Sequence, residues 1–160
     1  NALPEITAIR ARGEFFQFFA QRRGVPVDFH VAERAAIDFS APDPDMAGLE
    51  RSLETLIAPC LSGTERPTGF FVPMDFQVAL LYRVLARRGI RPGRDLDLIG
   101  CDGELGLLAG LSPRPATIEI PGDAIGRQAV EQLLQRLNDP ERGSPGIYIV
   151  IEPRLIAGDE

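Results

Sequence analysis

Residues 68–104 read "TGFFVPMDFQVALLYRVLARRGIRPGRDLDLIGCDGE", and no other stretch restricts the fold as tightly. "TGFFVP" (68–73) is short and apolar, the signature of a buried strand. Val78, Leu81, Tyr82 and Leu85 then recur at helical spacing, and Arg87, Arg88 and Gly89 close that helix. "LDLIG" (96–100) is a second buried strand. Two strands joined through a helix run parallel, because the crossover returns the chain to the edge it left, and such crossovers are right-handed.

The same alternation extends over most of the chain. Residues 10–23 place Phe15, Phe18 and Phe19 on one face of a helix that Gly24 stops, and these rings are expected in the core. "VDFHV" (27–31) alternates like a strand. "DPDM" (43–46) predicts a helix start with Asp43 as cap and Pro44 in the first position. Met46, Leu49, Leu53, Leu56 and Ile57 follow as an apolar stripe. "ELGLLAG" (104–110) allows at most two helical turns, and "ATIEI" (116–120) reads as a strand. Ile125, Ala129, Leu133 and Leu137 define a further helix with Asp123 near its start, and "GIYIVIEPRLI" (146–156) is a closing strand. The fold class is therefore α/β: a three-layer α/β/α sandwich around a mainly parallel sheet.

Ligands of such sheets sit beyond the carboxyl ends of the strands. That rule gives Met74, Asp75 and Asp102 one address, with Asp38 and Phe39 at a similar level. Taken alone, Asp102 and Glu104 read first as turn chemistry, since Asp before Gly is a standard turn pair, with part of a metal site or an acid–base pair as the weaker alternatives. Composition narrows the choice. A net charge of −6 over 160 residues argues against nucleic-acid binding by this stretch itself. Cys60 and Cys101 are far apart and form no CxxC, so they read as buried thiols of a reducing compartment. The single histidine, His30, lies in a strand pattern, where a structural role outweighs a catalytic one. No G-x-S-x-G, phosphate loop or calcium loop occurs. No apolar run approaches the roughly 20 residues of a membrane span, and no signal peptide is visible. The opening "NA" reads as a tag remnant or an internal start. Arg10, ahead of Gly13 near a helix start, makes sense if it reaches a ligand or a carboxylate.

In order, these pieces resemble the effector-binding domain of the LacI/GalR (lac and galactose repressor) family of bacterial transcription regulators. "RARGEFFQFF" (10–19) resembles that family's Arg-x-x-Gly-Phe helix start, with Glu14 in place of the usual aromatic. "DFSA" (38–41) is similar to its acidic–aromatic–Ser motif. Residues 66–104 match its longest signature, a Pro-Thr-led strand, a helix, and a strand closing in Gly-aromatic-Asp. "SPRPATIEIPGDAIGRQAVEQLL" (112–134) and "IEPRLIAG" (151–158) resemble its last elements. Met74 replaces an asparagine that often contacts sugar, Cys101 replaces a Tyr or Phe, and Ala116 replaces the first of two threonines.

The resemblance implies one lobe of a periplasmic-binding-protein-like (type I) clamp, with residues 1–160 as the C-terminal part of the effector-binding domain. The DNA-binding headpiece and most of the N-terminal subdomain would lie outside this chain, and the 123–137 helix would lack its usual lobe. The implied ligand is a small molecule of carbohydrate type, with no cofactor, no metal and no catalytic residue. Asp102 would accept from adjacent hydroxyls, about 1.5–3 kcal/mol per charge-assisted bond. Arg10 would donate, Phe39 would stack on the apolar face, Met74 would give a soft contact, and Asp75 would cap the following helix and orient the pocket. Partners implied are a second copy, through the 76–88 helix and the 104–114 loop, and operator DNA through the absent headpiece; the location would be cytoplasmic, with no membrane. The competing readings are a periplasmic sugar-binding protein of a transporter and, more remotely, an enzyme on a similar scaffold.

Overall fold

A computed structural model describes residues 7–32, 42–138 and 146–159. The elements are α1 (Thr7–Arg22), α2 (Met46–Ser62), β1 (Gly69–Phe71), α3 (Asp75–Arg87), β2 (Asp97–Asp102), α4 (Leu105–Leu108), β3 (Ala116–Glu119), α5 (Gly122–Asn138) and β4 (Arg154–Ile156). The sheet order is β1-β2-β3-β4, with β1/β2 and β2/β3 parallel and β3/β4 antiparallel. The sheet is thus mixed, parallel in its first three strands and antiparallel at one edge.

Neighbouring side chains of β1 show the layering. Phe70 packs into the core beneath α3, whereas the ring of Phe71 stacks on Phe16 of α1, 4.5 Å between centroids. The sheet therefore lies between α1 and the α2–α3 layer, the α/β/α arrangement that the alternation predicts. The main core joins Ile57 and Leu61 of α2, Val78, Leu81, Val84 and Leu85 of α3, and Val72, Leu96, Leu98 and Leu108 around the sheet. A smaller cluster ties Ile9 of α1 to Leu49 and Leu53 of α2 and Leu80 of α3. Opposite charges also join α2 to α3: the nearly buried Glu50 pairs with Arg83 and Arg87, and Glu54 with Arg87 and Arg88.

Several local expectations change in three dimensions. "VDFHV" joins no ladder among the described residues; the Phe29 ring instead lies where a Cβ on Gly13 would be, 2.4 Å from its Cε2, so that contact requires glycine. Of the 146–156 strand, only Arg154–Ile156 pairs, and Ile147 to Val150 are exposed. The α2 cap is Asp45, whose Oδ1 accepts from Gly48 N at 2.7 Å, not Asp43. The rings of Phe15, Phe18 and Phe19 are exposed rather than in the core, because α1 turns Ile9 and Gly13 inward instead. Cys101 is buried as expected, but Cys60 is only half-buried, with its Sγ 3.3 Å from His30 Nε2. Leu80, Leu81 and Leu108 are buried in this chain's own cores, which removes them from any interface with a second copy.

Candidate functional site

The carboxyl edge of the sheet is built around Asp102, the last residue of β2. Its φ of +130° lies where only glycine is comfortable, and Gly103 follows at +79°. A non-glycine residue in such a conformation costs on the order of 1–3 kcal/mol and persists only where its surroundings enforce it.

One enforcing partner is Arg12 of α1. Its Nη1 donates to Asp102 Oδ1 at 2.7 Å and to the carbonyl oxygen of Pro73 at 2.8 Å. Both side chains are about three-quarters buried, with 25% and 23% of their surface exposed. The guanidinium thus joins the strand ends at Pro73 and Asp102 on one side of the sheet. Burial raises the Asp102 carboxyl above the usual carboxylate range, and the charge and hydrogen bond of Arg12 partly offset this. Cys101, beside it, is raised above the ordinary thiol value, chiefly by burial.

The other partners lie beneath the turn. Asp75, fully buried in the first turn of α3, accepts from Glu104 N at 2.8 Å, and the Thr117 Oγ1 hydroxyl lies 2.8 Å from both of its oxygens. Thr117 Oγ1 in turn accepts from Gly103 N at 3.3 Å. Next to Asp102 in the ladder, Glu119 of β3 pairs with Arg154 of β4 at 2.6 Å.

The expected site residues meet this geometry unevenly. Asp102 and Asp75 sit together at the edge. Asp75, however, does not cap α3: the residue at the cap position is Met74, with no side-chain cap bond, and Asp75 reaches across to β3 and the 103–104 turn. Met74 packs against the small cluster formed by Ile9, Leu49, Leu53 and Leu80. Arg10 is exposed and pairs with Glu14 at 2.7 Å, one helical turn on, so it is not brought to Asp102. Two residues along a helix turn a side chain through roughly 200°, which separates Arg10 from the inward-facing Arg12. Phe39 lies outside the described residues. Arg12 and Thr117 are the polar residues of this edge that sequence reasoning passed over; the signal was present in Gly13, whose missing side chain marks the inward face next to Arg12.

With this geometry in hand, the class of protein is defined: the chain belongs to the periplasmic binding protein-like domain family, whose pattern matches residues 4–159. Its relatives include named repressors. Over 96 residues, 60% of this chain, it is 33% identical to the ribose operon repressor of Haemophilus influenzae, of which it spans 28%. A LacI-family transcriptional regulator from Silicibacter pomeroyi superposes with a TM-score of 0.67 at 25% identity, covering 99% of this chain and 44% of that one. A LacI-family regulator from Enterococcus faecalis with bound ribose gives a TM-score of 0.57 at 25% identity, covering 68% of this chain and 39% of that one. The chain therefore spans less than half the length of these relatives.

Proposed function

We propose that this chain is part of the effector-sensing domain of a LacI-family transcription regulator, and that its Asp102 edge is one wall of a cleft for a sugar or sugar-like molecule. The observation that carries the reading is the Arg12–Asp102 pair, a donor fork and a carboxylate held side by side, largely desolvated, at the carboxyl edge of a parallel sheet. Such a pair suits vicinal hydroxyls, which donate to the carboxylate and accept from the guanidinium. In this reading Arg12 takes the donor role expected of Arg10. Among the described residues, no three His, Cys, Asp or Glu side chains converge as a metal set. The ribose repressor relative and the ribose-bound neighbour favour the sugar class.

The apolar face of α5 has no cover among the described residues, which favours a second lobe from the rest of a longer protein. Effector bridging both lobes would bias an open–closed equilibrium, coupled in a dimer to operator binding by a separate headpiece in the cytoplasm. No helix among the described residues is long and apolar enough to cross a membrane.

The test is calorimetric titration of the whole protein with D-ribose, lactose and cellobiose. At least one sugar is expected to bind, and Asp102→Ala is expected to weaken it by about 2 kcal/mol, the loss of one or two charge-assisted hydrogen bonds. Unchanged affinity in Asp102→Ala would remove this edge from the binding site, and binding of none of the three would count against the sugar class.

A further inference from the structure

The turn that follows Asp102 is tied down from two elements at once. Gly103 N–H donates to the hydroxyl of Thr117, on β3; Glu104 N–H donates to the carboxylate of Asp75, on α3; and Thr117 and Asp75 are bonded to each other. Both side chains are completely buried. The two amides immediately after the strained residue are therefore held by a closed polar circuit and not by the sheet ladder.

The surrounding glycines are shaped to this circuit. A Cβ on Gly100 would stand 2.0 Å from Asp75 Oδ1 and 3.1 Å from Val78 Cγ2, so glycine there makes the space that the carboxylate occupies. A Cβ on Gly103 would stand 2.9 Å from the backbone and side chain of Glu119, and its φ is positive as well. Both positions forgo a side chain, at the usual cost in chain entropy. An acidic residue in the first turn of α3 also suits the helix dipole.

We infer that Asp75 and Thr117 are positioning residues: through the amides of Gly103 and Glu104 they hold Asp102 at its unfavourable φ and so aim its carboxylate at Arg12 and the cleft. Without the circuit, the peptide after Asp102 is free to rotate out of the left-handed region, which relieves the strain and swings the carboxylate off the guanidinium. The role in binding rests on the ligand-gripping reading of Asp102, whereas the positioning itself needs no ligand.

The test uses two independent readouts on the whole protein. The first is amide hydrogen exchange by NMR. Thr117→Val keeps the shape and deletes the hydroxyl, and it is expected to speed exchange at Gly103 and Glu104 about tenfold or more while leaving Leu81 in α3 unchanged; Thr117→Ser restores protection. Wild-type exchange at both amides in Thr117→Val overturns the inference. Where that variant does not fold, Glu104→Pro deletes one N–H at a φ of −75°, which proline accepts, and the same loss of protection at Gly103 is expected. The second readout is calorimetry with D-ribose. Thr117→Val is expected to weaken binding about tenfold and Thr117→Ser to recover it. Faster exchange with unchanged ribose affinity removes the link to binding. Absence of ribose binding in the unaltered protein counts against the proposed ligand alone, and the exchange result still decides the positioning role.

Discussion

Helix α3 buries Gln77, Val78, Leu80, Leu81, Val84 and Leu85, whereas α5 is buried at no position among the described residues, although Ile125, Val130, Leu133, Leu134 and Leu137 are apolar. In sequence the two helices are alike, each with an apolar stripe at helical spacing and a basic residue in its last turn. The difference is what lies opposite. Helix α3 meets β2 and α2, and its stripe closes the main core, while α5 extends beyond β3 with its stripe open. An amphipathic pattern states that a helix needs a partner and does not say where the partner is.

The sharpest way to break this comparison is a pair of truncations. Leu81→Ala is expected to lower the stability of the chain by about 3 kcal/mol, from lost burial plus the cavity left behind. Leu133→Ala is expected to change it by less than about 0.5 kcal/mol, because more than half of that residue is already exposed. Urea denaturation of both variants decides the matter. Equal losses would mean that α5 is packed in solution.

A smaller effect should come from inside α3. Gln77 is fully buried, and neither amide atom has a hydrogen-bond partner among the described residues. Replacing it by methionine of similar length removes two unsatisfied polar atoms from the core. Gln77→Met should therefore stabilise by about 1 kcal/mol, read as a higher urea midpoint. A lower midpoint would show that the amide has a partner in solution.

The smallest effect is a pH dependence in the packed half. The Tyr82 hydroxyl donates to the carbonyl oxygen of Pro113 at 2.6 Å, and burial, helped by the negative charge of Asp159, raises its pKa to about 12. The folded value lies above the unfolded one, so this contribution is fully present below about pH 10 and is lost as pH rises through 12. Tyr82→Phe should flatten the stability profile over that window and lower its neutral-pH part by about 0.5–1 kcal/mol, the loss of one hydrogen bond. An identical alkaline slope in both proteins would remove Tyr82 as its source.

Of this candidate edge, the place of Asp102 was legible in the sequence. The position of Asp102 past "LDLIG" followed from the strand–helix–strand pattern, since parallel strands all deliver their carboxyl ends to one edge. The choice between Arg10 and Arg12 was not legible, because the start of a helix is uncertain by one or two residues and each residue turns the side chain by about 100°. Likewise Asp75 before a helical stripe reads as a cap. Its reach to Thr117, 42 residues away, is a contact that no local pattern contains.

By itself, then, the sequence determined the βαβ order, the parallel sense of its strands and the edge where Asp102 stands, because period and turn chemistry are local properties. Only the tertiary structure decided which arginine faces Asp102, that the last strand runs antiparallel, and that Asp75 and Thr117 hold the turn. Those outcomes depend on helix rotation and on side chains meeting across the sheet, where burial and hydrogen-bond satisfaction override the preference of any single segment.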